Sequence, residues 1–287
     1  MIVVNFETIY ALHDPAHCFT PNLFRSLKPC ERKKMKLKAV HEFGSGKRIE
    51  FSGPEPLGAD DLRVLQGLVA MAGSSGLTLS PEPSTEVGMQ LRLSLDIKWD
   101  AVQQNVVVIK SSYAQLAREI GNANVGNTTN IRASIERLWK VSVIVQAGTK
   151  RQGFRLLSEY SSDKHYGKLN VALNPLITST LFGNRQFVRI DMDEVRALKS
   201  DPARLIHQRL CSWIDPGKLR RVELDTLSSY VWPDKIENVN SIKKRRQTTR
   251  KALAELAGLG GWIVNEYVHD KFEIKRPSVV SKIRIPP

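Results

Sequence analysis

The spacing of apolar residues predicts short strands alternating with helices along most of the chain. Leu62, Leu65 and Val69 recur at helical spacing between Ala59 and Ala72, and Gly73 follows as a stop signal. The apolar run 106–109 is typical of a buried strand. By the same criteria we predict further helices over 111–121, 128–141, 191–198, 201–214, 225–232 and 241–258, and further strands over 91–95, 143–146, 153–160, 169–173 and 262–275.

The order strand, helix, turn, helix and hairpin occurs twice along the chain and is typical of a winged helix. A shift of 118 residues places Ile135 and Leu138 on Leu253 and Leu256, so the two copies share a pattern. We therefore predict an α+β fold of two tandem winged-helix domains with a basic N-terminal arm. The predicted boundaries are 1–50 for the arm, 51–184 and 185–277 for the two domains, and 278–287 for a C-terminal tail.

The helix predicted over 241–258 carries the densest positive charge of the chain. Six of the nine residues from Lys243 to Lys251 are cationic, and Ser241 is a candidate N-cap. On a helical wheel one side is the core-facing stripe Ile242, Thr249, Ala252, Leu253 and Leu256. The opposite side consists of Lys243, Lys244, Gln247, Arg250 and Lys251.

A helix with one outward basic face, followed by a hairpin, has the features that a recognition helix needs to enter the major groove. The other interpretation is a solvated cationic face without a ligand. Under the first interpretation, the candidate base or groove contacts are Lys243, Lys244, Gln247, Arg250 and Lys251, with Arg245 and Arg246 at phosphates. In the first domain the candidates are Thr129, Asn130 and Arg132 at base edges, and Lys150 and Arg151 at a hairpin tip over the DNA backbone.

Composition supports a polyanionic partner. The 287 residues carry a formal net charge of +14, which favours double-stranded DNA over a neutral ligand. A membrane partner is disfavoured because the sequence has no window of about 18 apolar residues. Prolines divide the basic arm 1–50 into short pieces, so we expect irregular structure there with a hairpin around Gly44 and Gly46. The arm fits either additional phosphate contacts or a disordered solubilising tail. Three cysteines and a start without signal-peptide features indicate a reducing cytoplasm.

Candidate catalytic and metal-binding motifs are weak. The sequence has no glycine-rich phosphate-binding loop and no pair of histidines one residue apart beside a tyrosine, so neither an ATPase nor a DNA-nicking enzyme is indicated. His13, His17, Cys18 and Cys30 resemble a ligand set, but Pro15 interrupts the helical spacing of the two histidines. We therefore expect no enzymatic activity, no cofactor and no metal site.

Several longer motifs resemble the RepC initiator proteins of IncQ-type broad-host-range plasmids. These motifs lie at 13–18 (HDPAHC), 47–62 (KRIEFSGPEPLGADDL), 135–142 (IERLWKVS), 151–160 (RQGFRLLSEY), 207–211 (HQRLC) and 213–218 (WIDPGK). The resemblance extends over residues 13 to 277.

This resemblance implies a two-winged-helix protein that binds repeated sequences, called iterons, at a plasmid origin. It also implies that the protein promotes opening of adjacent AT-rich DNA and recruits a separate plasmid replicative helicase, without catalytic activity of its own. Whether the protein forms a homodimer is left open by the resemblance. The alternatives are a winged-helix transcriptional regulator of plasmid genes, a nicking or priming enzyme, and a structural protein with similar affinity for any duplex.

Overall fold

The protein divides into two compact units, Met1–Ala197 and Leu198–Pro287, each built from helices and antiparallel strands. The α+β class is thus confirmed. The structure is a computed structural model, and it describes residues 9–28, 30–44, 46–75, 77–79, 106–122, 124–126, 128–163, 167–174, 177–178, 180 and 186–278. The strand predicted at 91–95 and most of the tail at 278–287 lie outside these residues.

The first unit contains three sheets and five helices with assigned bounds in the described residues. The helices are α1 (Pro15–Phe19), α2 (Ala59–Ser75), α3 (Tyr113–Glu119), α4 (Thr129–Trp139) and α5 (Met192–Ala197). The strands are β1 (Tyr10–His13), β2 (Leu37–Glu42), β3 (Lys47–Gly53), β4 (Leu77–Leu79), β5 (Val106–Ser112), β6 (Ser142–Ala147), β7 (Lys150–Arg155), β8 (Leu157–Ser162), β9 (Lys168–Leu173) and β10 (Val188–Asp191). Their sheet orders are β2-β3-β6-β7, β4-β5-β9-β8 and β1-β10.

Helix α2 forms the centre of the first unit. Its residues Leu62, Leu65 and Leu68 are fully buried, and the helix packs against β1, α4 and β5. At its first turn, the buried Asp61 accepts a hydrogen bond from Arg137 of α4 (Nε to Oδ1, 2.9 Å) and pairs with Arg32 at 3.3 Å. Burial raises the pKa of Asp61, and the two arginines oppose that rise. This network fixes α4 on α2.

The predicted irregular structure of the arm 1–50 is wrong for β1, α1, β2 and β3. Strands β2 and β3 form a hairpin whose turn has positive φ at Gly44 and Gly46, as the glycine spacing predicted. Strand β3 also pairs with β6, which lies about a hundred residues further along the chain. Arg25 is only 4% exposed, so part of the arm belongs to the core.

The hairpin predicted across residues 143–160 is correct only in its first half. Strands β6 and β7 pair around Gly148, which has positive φ. Leu156 and Leu157 are both fully buried, and the chain continues into β8, which pairs with β9 of another sheet. The single strand predicted over 153–160 is therefore wrong, because two adjacent buried leucines interrupt the alternation of a half-buried strand.

The second unit contains three helices and one antiparallel sheet of order β11-β13-β12 within the described residues. The elements are α6 (Asp201–Trp213), β11 (Leu219–Glu223), α7 (Leu224–Val231), α8 (Val239–Ala257), β12 (Ile263–Val268) and β13 (Lys271–Lys275). Leu210, Leu227, Leu256 and Ile274 are fully buried and form the centre of its core.

The predicted domain boundaries at 50/51 and 184/185 stay predictions. The compact units divide between Ala197 and Leu198, since β10 pairs with β1 and α5 packs against α2 in the first unit. Residues 181–185, around the second predicted boundary, lie outside the described residues.

Candidate nucleic-acid interface

Helix α8 contains the strongest predicted contacts, and it begins two residues earlier than its sequence indicates. Asn238 is the N-cap: its side chain accepts a hydrogen bond from the Ser241 N–H at 3.1 Å. The predicted capping role of Ser241 is therefore wrong. Thr249, Leu253 and the other predicted core-facing residues are buried, except Ile242, which is half-buried.

The opposite side of α8 presents three lysines and one glutamine to solvent. Lys243, Lys244, Gln247 and Lys251 are all exposed, and among the described residues their side chains form no hydrogen bond or ion pair. Ammonium groups on long side chains pair with phosphates, and a side-chain amide can bind adenine through two hydrogen bonds. This face, which we call the lysine face, has the chemistry of a major-groove surface.

Arg245 holds the loop between α7 and α8. Its guanidinium donates to the carbonyl oxygen of Asp234 at 2.7 Å and lies 5.6 Å from the Trp232 ring centroid. Trp232, Ile242 and Arg245 help to line a cavity of about 240 Å³ beside this loop. The phosphate contact predicted for Arg245 stays a prediction, and the structure gives the residue a role in positioning α8.

Arg246 and Arg250 are paired with carboxylates inside the second unit. Arg246 donates twice to Asp225 of α7, at 2.7 and 2.5 Å. Arg250 donates to both oxygens of Glu266 on β12, at 2.6 and 2.9 Å, and to Asp270 at 2.5 Å. The hydrogen bonds from the arginines lower the pKa of Asp225 and of Glu266, so both carboxylates remain charged at neutral pH.

These carboxylates were not anticipated from the sequence. Asp225 lies 21 residues from Arg246, and Glu266 lies 16 residues from Arg250. No helical or strand periodicity connects residues at those separations, because only the packing of α7, α8 and the hairpin brings them together. The predicted DNA contacts of Arg246 and Arg250 stay predictions, and each would require the arginine to exchange or share its carboxylate.

The first unit places its candidate residues at the start of α4 and at the start of β7. Thr129 and Asn130 are exposed in the first turn of α4. Arg132 is half-buried, and its guanidinium stacks 3.9 Å from the Tyr113 ring centroid. Lys150 and Arg151 are exposed immediately after the Gly148 turn, as predicted for a hairpin tip.

The histidines considered as metal ligands are buried in the first unit. His13 and His17 are 1% and 2% exposed, and their ring centroids are 6.4 Å apart. Burial, together with the neighbouring His17, lowers the pKa of His13 to about 3, so its ring is neutral at physiological pH. His207 packs against Trp262, with ring centroids 5.7 Å apart.

One group of possible metal ligands lies at the tip of the β12–β13 hairpin. Glu266, His269 and Asp270 bring one ligand atom each to within 4.8 Å of the others. Arg250 already donates to both carboxylates, so a cation there would meet a guanidinium at short range. Those contacts favour an ion-pair network over a metal site. Among the described helices, none combines the length and the low polarity that a membrane span requires.

The fold is similar to that of solved structures of RctB domains. Domains 2 and 3 of RctB match with a TM-score of 0.56 and 13% sequence identity over 91% of this chain and 98% of that chain. A second structure of the same RctB domains matches with a TM-score of 0.54 and 12% sequence identity, over 92% of this chain and 97% of that chain. The structure of the Pi initiator protein in complex with iteron DNA matches with a TM-score of 0.47 and 14% sequence identity, over 76% of this chain and 90% of that chain.

At the sequence level, no significant match was found among curated proteins. The model of the family Replication protein C (RepC), in contrast, matches residues 5–278. That range covers most of both compact units and includes every candidate residue of α4, β7 and α8. The chain therefore belongs to the RepC family of replication proteins.

Proposed function

We propose that this protein initiates plasmid replication by binding repeated sequences at the origin, with α8 and α4 as its reading helices. The observation that carries the proposal is the lysine face of α8, which stays outside the core and forms no ion pair with the part of the chain that the structure describes. In a RepC family replication protein, such a face supports a double-stranded DNA partner.

The order of elements supports a winged helix in each unit. In the second unit β11, α7, α8 and the β12–β13 hairpin follow one another, and β11 pairs with β13. In the first unit β5, α3, α4 and the β6–β7 hairpin follow in the same order. The second helix of each series carries the candidate base contacts, as in a winged-helix reader.

Binding would then be coupled to opening of the duplex and to recruitment of a separate plasmid helicase. If bound copies of the protein bend the DNA, the strain would fall on the adjacent AT-rich DNA, whose base pairs are the weakest. The protein would act without catalytic groups or cofactors, through binding energy alone. Its RepC family membership supports this sequence of events.

Selection from a pool of random duplexes, followed by footprinting on the encoding plasmid, tests the proposal. An initiator should protect tandem direct repeats at the origin, whereas a transcriptional regulator should protect a palindrome as a dimer. Similar affinity for all duplexes would indicate a structural DNA-binding protein instead. Permanganate reactivity in an AT-rich flank, with the repeats fully occupied, tests the opening step; an unreactive flank would exclude it.

A further inference from the structure

Five charged side chains form a continuous chain of ion pairs beside the lysine face. The order is Asp225, Arg246, Asp270, Arg250 and Glu266, which connects α7, α8 and the β12–β13 hairpin. The contacts between Arg246 and Asp270 (3.5 Å) and between Arg250 and Asp270 (2.5 Å) join the two arginine–carboxylate pairs into one network. Three carboxylates and two guanidiniums leave this network with a net charge of −1.

The hydrogen bonds within the network occupy the groups that Arg250 would use to read DNA. A guanidinium has five N–H donors, and Arg250 uses three of them, all on its two terminal nitrogens. A bidentate contact to guanine, through both terminal nitrogens, therefore competes directly with Glu266 and Asp270. Arg246 likewise commits Nε and one terminal nitrogen to Asp225.

The network lies at the surface, where an approaching phosphate would meet it. The side chains of Arg250 and Glu266 are each 33% exposed, and that of Asp225 is 59% exposed. A carboxylate repels the phosphates of a duplex whatever the base sequence. It also keeps the arginine that it binds from pairing with those phosphates. On arbitrary DNA, the lysine face of α8 is then available for phosphate contacts, whereas Arg246 and Arg250 stay on their carboxylates.

We propose that Glu266 and Asp225 compete with DNA for Arg250 and Arg246, and so lower the affinity of α8 for every duplex. The proposal rests on the proposed function of α8 as a reading helix. On a cognate duplex, base acceptors replace the carboxylates as partners of the guanidiniums. On other duplexes nothing compensates for breaking the ion pairs, so the arginines stay on Glu266 and Asp225.

The variant Glu266→Gln tests this inference because it keeps the size of the side chain and removes its charge. Freeing Arg250 from Glu266 leaves Asp270 as its remaining carboxylate partner and makes about one phosphate contact possible on arbitrary DNA, so the slope of log affinity against log salt should steepen by about 0.9. At about 0.1 M salt the affinity for a scrambled duplex should rise roughly five- to tenfold. Affinity for the duplex enriched by selection should rise at least as much, since there the wild type must break the Glu266 pair before Arg250 can contact bases.

Glu273→Gln is the matched control. Glu273 lies on β13 in the same sheet and also pairs with an arginine, at 2.6 Å, but its partner is Arg221 of β11 and not a residue of α8. The control has the same net charge as Glu266→Gln, so it reports the effect of overall charge. Its affinities for the scrambled and enriched duplexes should both stay within about twofold of the wild type.

The results separate the inference from the function on which it rests. Higher affinity for both duplexes in Glu266→Gln, reproduced by Asp225→Asn, supports the inference. Affinities within about twofold of the wild type, or changes equal to those of Glu273→Gln, overturn it while the proposed function stands. A wild-type protein that does not distinguish the enriched from the scrambled duplex overturns both. Thermal melting of the second unit confirms that each variant is folded before its affinities are compared.

Discussion

Lysine and arginine have different positions on helix α8. Lys243, Lys244 and Lys251 are exposed, whereas Arg245, Arg246 and Arg250 are half-buried and bond to groups of the same unit. A planar guanidinium binds a carboxylate through two parallel hydrogen bonds, whereas a lysine ammonium is a strongly hydrated point charge. The division suggests that the arginines position the helix and that the lysines make its general DNA contacts.

Replacing Lys251 should therefore weaken binding to every duplex. Lys251→Ala removes about one phosphate contact, so the slope of log affinity against log salt should become shallower by about 0.9. The specificity ratio should not change. Fluorescence anisotropy over a series of salt concentrations measures both quantities. Lys275→Ala is the control, because Lys275 is exposed on β13 and not on α8; an equal change of slope there would contradict the assignment.

The buried His13 should make the stability of the first unit depend on pH. Its pKa is about 3 in the folded protein and 6.5 in the unfolded chain, so between these values only the unfolded chain binds the proton. Stability is therefore complete above pH 6.5 and falls as the pH decreases, by up to about 1.4 kcal/mol per pH unit. His17, whose pKa burial also lowers, contributes in the same direction.

Urea unfolding at pH 7 and at pH 5 measures this dependence. His13→Gln should reduce the loss of stability between the two pH values, whatever its effect at pH 7. His269→Gln is the control, since that side chain is 87% exposed in the second unit. If His13→Gln and the wild type lose the same free energy of unfolding, His13 is protonated in the folded protein and the assignment is wrong.

At the scale of elements, local signals were the most reliable part of the sequence. Helix α2 was predicted from Leu62, Leu65 and Val69, and the buried side of α8 from Thr249 and Leu253, because these patterns repeat within a few turns. The predicted ends of the helices were less accurate. Asn238 and Ser241 are both good N-caps, and only the path of the preceding loop decides between them.

Pairings between distant elements could not be predicted in the same way. Strands β2 and β3 carry many charged residues, and their hairpin joins a four-stranded sheet because β6, far along the chain, pairs with β3. The carboxylate partners of Arg246 and Arg250 are likewise set by tertiary packing. The sequence therefore predicted the direction in which α8 points its lysines, but not the network that holds its arginines.

The N-cap of α8 can be tested directly. Asn238→Ala removes the acceptor for the Ser241 N–H and should lower the free energy of unfolding by about 1 kcal/mol. Asn240→Ala is the matched control, since Asn240 is exposed inside the first turn of the helix and alanine has the higher helix propensity. Urea unfolding monitored by circular dichroism gives both values. A larger loss in Asn240→Ala would place the helix start at Ser241.

For the whole molecule, the two units give the proposed initiator two reading helices in one chain. Linking two DNA-binding modules makes the second contact intramolecular, so modest contacts in each unit add to a strong one. The first unit contributes fewer charges at α4 than the second does at α8. The RepC family model matches both units, which supports a role for both in the same function.

Variants in each unit should therefore remove different parts of one footprint. Asn130→Ala with Arg132→Ala changes the start of α4, and Lys244→Ala with Gln247→Ala changes the lysine face of α8. If each helix reads its own major groove, each pair should lose hydroxyl-radical protection over about 10 bp and keep the rest. Protein concentrations are chosen to give equal occupancy, so that weaker binding alone does not change the pattern. Uniform loss over the whole repeat in both double variants would mean that the two helices do not read separate segments. Loss only in the α8 variant would assign sequence recognition to the second unit and leave the first unit for another part of initiation.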